Sequence, residues 1–263
     1  MGVKNLPASI TSYDLLKTFA VLTMVVDHFG IYFFPDEMWW RTIGRLSFPV
    51  WLFLIGYARS RDVSPRLIGG AAIVFVSNIV AGMGLLPLSI LVSIIVVRLS
   101  LDPVMKILSK SAVHLWAGSA VLFVVALPSF VLFEFGALAF VFAIFGYLVR
   151  HQKDEADRRL SFQYGVFACL GYIFLQSLGY GLFEEKLVVL SIGVVCVVTA
   201  LYKFKPKEYP EVSSQMSGVG RGFVKICGRY TLEIYVFHLL LFKMIAVLAG
   251  VAGFKYMQWS WIW

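Results

Sequence analysis

Lys17, Asp27 and His28 interrupt an otherwise apolar run from Tyr13 to Phe34, with Asp14 at its start. Ionisable side chains are costly in an apolar segment and are generally retained there for a purpose. An imidazole titrates near physiological pH and suits proton transfer. An ammonium binds anions, and a carboxylate at such depth requires a cation. On an α-helix, which turns about 100° per residue, the step from Lys17 to His28 comes within about 20° of three full turns. The two therefore share one face, about 16 Å apart along the axis. Asp14, Val21 and Met24 fall near the same stripe. Asp27 points about 100° away from His28, which argues against a direct pair between these neighbours.

Each of these residues also has a plainer reading. His28 can be a hydrogen-bonded packing residue, and Lys17 can snorkel to lipid headgroups. Asp14 can be a cap that complements the helix dipole. Arg41 and Arg45 are four residues apart, and either is a candidate cation for Asp27. Arg41, beside Trp39 and Trp40, reads first as an interfacial anchor, whereas Arg45 enters deeper and suits pairing with Asp27 or orienting a substrate. Pro49 is expected to bend the helix that follows.

The elements that must carry these residues are membrane helices. The chain has 263 residues, of which 60% are hydrophobic and 14% charged, with a mean hydropathy of +0.83. A soluble core could not hide so much apolar surface. The expected fold is all-α, a single polytopic helix bundle over 1–263 with about nine transmembrane segments, eight to ten being the range. They fall near 13–34, 43–58, 67–84, 86–98, 112–133, 136–149, 162–181, 187–202 and 230–250. The first reads as a retained helix and not a cleaved signal, because charges sit in its middle. The segments 86–98 and 136–149 are short for a span and suggest tilt, re-entry or misplaced boundaries.

Loop charge sets the orientation. With a cytoplasmic N-terminus, the inner side collects Lys4, the Arg59–Arg66 loop, Arg98, Lys106, Lys110, the cations from Arg150 to Arg159 and those from Lys203 to Arg229. The outer side holds Arg41, Arg45, Lys186 and Lys255. The net charge of +8 follows from this asymmetry beside anionic headgroups and needs no nucleic acid. Residues 203–228 mix KFKPKEYPE with SSQMSGVGRG and read as a polar cytoplasmic linker. Cys169, Cys196 and Cys227 are far apart without CxxC spacing, so neither disulfides nor a metal are expected.

The segments YDLLKTFAVLTMVVDHFGIYFF and RTIGRLSFPVWLFLIGYARS resemble the TraX family of membrane proteins, whose namesake acetylates the N-terminus of conjugative pilin. They also resemble the wider acyltransferase family 3, in which a basic residue, ten intervening residues and a histidine lie on the first membrane helix; here these are Lys17 and His28. GRYTLEIYVFHLLLF is similar to a pattern on a late helix of those families. The likeness is close over 13–60, loose over 77–97 and good over 228–242.

That resemblance implies transfer of an acyl group, acetyl in the first instance, from cytoplasmic acetyl-CoA to an amine or hydroxyl acceptor at or across a bacterial inner membrane. His28 is then the base, with Lys17 and Asp27 completing the catalytic set. Lys17 and Arg229 would meet the donor, while Arg45, Tyr235 and His238 would line the acceptor side. The acceptor, whether a protein amine, a glycan or a small molecule, stays open. Arg229 and Glu233, spaced i, i+4, can also pair simply on the surface. A proton-coupled small-molecule transporter would use similar intramembrane residues. A non-catalytic membrane assembly factor would keep the topology without needing them.

Overall fold

In a computed structural model, described over residues 7–262, the chain is a helix bundle. Its elements are β1 (Ile10–Thr11), α1 (Ser12–Phe33), α2 (Met38–Gly44), α3 (Ser47–Tyr57), α4 (Pro65–Val80), β2 (Gly84–Leu86), α5 (Ile90–Leu108) and α6 (Ala112–Ser129). They continue with α7 (Leu138–Arg150), α8 (Glu155–Tyr180), α9 (Glu184–Tyr202), β3 (Glu208–Tyr209), α10 (Pro210–Gln215), α11 (Gly218–Arg229), α12 (Thr231–Leu248) and β4 (Ser260–Ile262). Among the described residues, α1, α6, α9 and α12 are long and apolar enough to cross a membrane, and α4 and α7 are shorter apolar helices.

Burial follows sequence pattern. α3 (SFPVWLFLIGY) and α7 (LAFVFAIFGYLVR) are apolar all round and form the centre, with Phe53, Phe142 and Phe145 fully buried. They approach closely because Gly56 faces the carbonyl of Ala143, and Gly146 the carbonyl of Phe53, with no room for a Cβ. The outer helices turn apolar side chains outward: Val113 is 75% exposed, Phe237 68% and Leu248 79%. A surface this apolar is suited to lipid.

Successive long helices alternate in direction. At one end Asp27 meets Arg41, Tyr180 lies under Arg41, Lys186 sits over Trp39, and Glu134 accepts from the Ile90 N–H. At the other, Arg229 reaches Asp14, Arg150 donates to the Tyr57 carbonyl, and Arg61 pairs with Asp102. Arg61 also closes α3, donating to the carbonyls of Ile55, Gly56 and Ala58 that the helix leaves unpaired. Antiparallel β1–β3 ties the N-terminal end of α1 to the segment after α9. Parallel β2–β4 tethers the C-terminal segment to the α4–α5 connection.

Several expectations change in detail. The segment 43–58 is divided: α2 ends at Gly44, the chain turns at Arg45 and Leu46, and α3 begins at Ser47. Pro49 therefore lies in the first turn of α3, where its missing N–H costs no helix bond, and the break precedes it. The short segment 86–98 becomes the 19-residue α5, which continues through Pro103. The linker 203–228 contains β3, α10 and α11, and α11 packs on α1: Val224 and Cys227 are buried, the Thr18 hydroxyl donates to the Val224 carbonyl at 3.1 Å, and Gly228 abuts Asp14. Lys4 and Trp263 lie outside the described residues.

Candidate functional site

α1 is set in register by its first turn. Thr11 accepts from the Asp14 N–H at 3.1 Å, and the Asp14 carboxylate accepts from the Thr11 N–H at 3.0 Å, a reciprocal capping box. Four turns later α1 passes α12, and the imidazoles of His28 and His238 meet, Nδ1 to Nε2, at 2.7 Å. Both are buried, at 8% and 6% exposure. Their rings lie 5.0 Å apart and 25° from parallel. The Tyr235 ring stands edge-on at 5.8 Å from each.

Hydrogen-bond logic orders this pair. His238 Nδ1 lies 2.6 Å from the Ile234 carbonyl oxygen, which can only accept, so His238 carries its hydrogen on Nδ1. Its Nε2 in the neutral ring is then an acceptor, and the hydrogen between the rings belongs to His28 Nδ1. That leaves the lone pair of His28 on Nε2. The backbone of α12 thus selects, through His238, which nitrogen of His28 is basic.

Beside the pair, Asp27 binds two cations. Arg41 approaches its carboxylate at 3.1 Å and Arg45 at 3.6 Å. The guanidinium of Arg45, 2% exposed, lies over the Tyr180 ring at 4.5 Å and the Phe135 ring at 4.9 Å, and Arg41 lies over the same Tyr180 ring at 4.7 Å. The Tyr172 hydroxyl donates to the Arg45 carbonyl at 2.7 Å. Gln176 lies between Tyr172 and Tyr180 on that face of α8. Three buried atoms here have no hydrogen-bond partner among the described residues: Asp27 Oδ1, Arg45 Nε and Gln176 Oε1. Such atoms are costly to leave unpaired and offer one donor and two acceptors to a polar guest.

The structure thus joins His28 to His238 and Tyr235, and Asp27 to Arg41 and Arg45. Arg41 is more than an interfacial anchor, since its side chain is 14% exposed and paired. Lys17, half-buried in the second turn of α1, has no hydrogen bond or ion pair to a described residue and remains about 16 Å below His28 along the axis. Arg229 is engaged structurally: it pairs with Asp14 at 3.4 Å and donates to the Pro7 carbonyl at 2.7 Å and the Ser9 carbonyl at 3.4 Å. The alternative pairing with Glu233 does not form, because Glu233 pairs with Arg66.

Sequence reasoning missed Tyr180, Gln176, Glu134 and Lys243. Glu134, in the α6–α7 connection, accepts the first N–H of α5 and lies near Arg45; burial pushes its carboxyl above its ordinary range against the pull of that arginine. Lys243 was discoverable as the cation inside the apolar run of α12. Nothing in the sequence distinguishes Tyr180 from other aromatic residues of α8.

No solved structure matches this chain. A protein of Rickettsia prowazekii (strain Madrid E), described only as uncharacterized, is 29% identical over 146 residues, covering 55% of this chain and 59% of its own length. The TraX protein family matches residues 12–246, spanning α1 and nearly all of α12, the two helices that bring His28 and His238 together. The chain belongs to the TraX family.

Proposed function

We propose that this protein is a membrane-bound acyltransferase that moves an acyl group, acetyl in the first instance, from acetyl-CoA to an amine or hydroxyl acceptor, with His28 as base. The observation that carries this reading is the His28–His238 contact, which leaves the lone pair of His28 on Nε2. In the reaction, His28 Nε2 takes the proton of the acceptor as its nitrogen or oxygen attacks the thioester carbonyl. The carbon–sulfur bond then breaks, and the proton passes from His28 to the departing thiolate. His238 Nε2 accepts from His28 Nδ1–H throughout and holds the imidazolium in place. The Asp27–Arg41–Arg45 cluster, with its unpaired buried atoms, lies on the acceptor side. Lys17 is the cation for a donor phosphate, whereas Arg229 positions α11 on α1.

The likeness to acyltransferase family 3 supports this reading, as does the alternation of α1, α3, α4, α5, α6, α7, α8, α9 and α12. In this reading, those helices cross a bacterial inner membrane nine times as one domain. Cations in the loops and adjoining helix ends, such as Arg66, Lys106, Lys153 and Lys207, then lie at the cytoplasmic end with the start of α1. Acetyl-CoA is a substrate, and the mechanism needs no metal.

The test is thiol release from acetyl-CoA by purified protein in nanodiscs, read beside thermal stabilisation by the thioester. The parent binds and releases thiol; His28→Ala still binds but loses turnover by a factor of about 10²–10⁴. His238→Ala loses most of that activity, and His238→Gln, whose amide oxygen can accept from His28 Nδ1–H, recovers part of it. A folded parent that neither binds nor cleaves the thioester defeats the acyltransferase reading.

A further inference from the structure

Away from the histidines, α4 and α12 enclose an open apolar groove of about 600 Å³, within the range of small-molecule sites. Ile73, Val76 and Val80 form one wall, and Leu240, Met244 and Val247 the other, with Tyr256 at the rim. Lys243 is at its floor, 3% exposed. Five residues after His238, it is turned about 140° from that ring, so it faces α4 and the groove lies outside the histidine site.

Lys243 has no acidic partner among the described residues. Its ammonium donates to Ser77 Oγ at 2.6 Å and Asn78 Oδ1 at 2.5 Å, and to the Val74 carbonyl at a long 3.4 Å. All three partners are neutral. A buried cation ordinarily has an anionic partner, because neutral oxygens satisfy its hydrogen bonds without cancelling its charge. The weak third bond leaves one ammonium proton that can turn to an incoming anion. Lys243 is also about one to two turns from the ends of both helices, since α4 stops at Val80 and α12 at Leu248. Lys255, beside the rim residue Tyr256, donates its backbone N–H to the Ala81 carbonyl at that same end.

We infer that this groove binds one anionic phospholipid of the surrounding bilayer, with an acyl chain along α4 and α12 and its phosphate drawn to Lys243. The apolar walls match the chain, and the cation supplies the charge complementarity that an apolar cleft alone would lack. This site rests on the membrane setting and is independent of the chemistry at His28.

The experiment is native mass spectrometry and thermal melting of detergent-purified protein titrated with phosphatidylglycerol or phosphatidylcholine of the same chain length. The parent binds one phosphatidylglycerol more tightly than phosphatidylcholine, by about fivefold, the order of the preference that one cation confers for an anionic lipid. Lys243→Gln removes this preference, and Lys243→Arg keeps it. Val76→Trp, on an exposed wall position, fills the groove and weakens both lipids together. The inference fails if the parent treats the two lipids equally, or if either Lys243→Gln or Val76→Trp leaves binding unchanged. Should Lys243→Gln not fold, Val76→Trp and the parent's own selectivity still decide. Thioester turnover is not among the readouts, so failure here leaves the reading of His28 untouched, and the reverse holds.

Discussion

At the scale of single residues, Asp27 is the carboxylate whose removal strands the most charge, because it pairs with both Arg41 and the enclosed Arg45. Removing one member of a buried ion pair strands the other charges and costs about 3–5 kcal/mol. Asp27→Asn is therefore expected to lower thermal stability in detergent sharply. Asp27→Asn combined with Arg45→Met is expected to recover part of the loss, because the double change removes the stranded charge together with its partner. Equal melting temperatures for Asp27→Asn and the parent would show that the pair contributes little. The same residues show how far spacing carries. That Asp27 would need Arg41 or Arg45 followed from charge alone, whereas their shared seat on Tyr180 depends on where α8 ends. Likewise, His28 and His238 were each recognisable as candidates, but their mutual contact across 210 positions was not.

Among the elements, α3 and α7 carry the centre of the bundle through backbone contact at Gly56 and Gly146. A methyl added at Gly56 would meet the Ala143 carbonyl, which belongs to a helix buried on nearly every face and cannot withdraw easily. Gly56→Ala is expected to destabilise by about 1–3 kcal/mol, read as a fall in melting temperature. Gly69→Ala on α4, where a Cβ would meet nothing within 4 Å, is expected to be neutral or slightly stabilising. If the two variants melt alike, close packing of α3 on α7 is not limiting. Helix α11 teaches a related lesson. Its glycines and cations read as a loop because Gly lowers helix propensity, yet Val224, Cys227 and Gly228 form one face that α1 buries. Tertiary packing outweighed local preference.

For the whole molecule, the proposed nine crossings and cytoplasmic N-terminus make a direct prediction. In a background lacking Cys169, Cys196 and Cys227, a cysteine at Lys186 is expected to react with an impermeant maleimide on intact cells. One at Lys153 is expected to react only after permeabilisation. The reverse pattern would invert the orientation, and labelling of both or neither would break the count between α7 and α9. What the sequence by itself determined is whatever depends on composition and short-range period: an all-helical apolar chain, the approximate positions of its helices, the face shared by Lys17 and His28, and the demand of Asp27 for a cation. These rest on helix geometry and on the cost of burying charge, which act within a few turns. Only the tertiary structure decided which helices meet: that α12 sets the basic nitrogen of His28 through His238, that Arg229 turns to Asp14 and not Glu233, and that Lys243 meets neutral oxygens of α4. Such pairings join residues remote in sequence, and they depend on the packing of helices whose apolar surfaces are locally almost interchangeable.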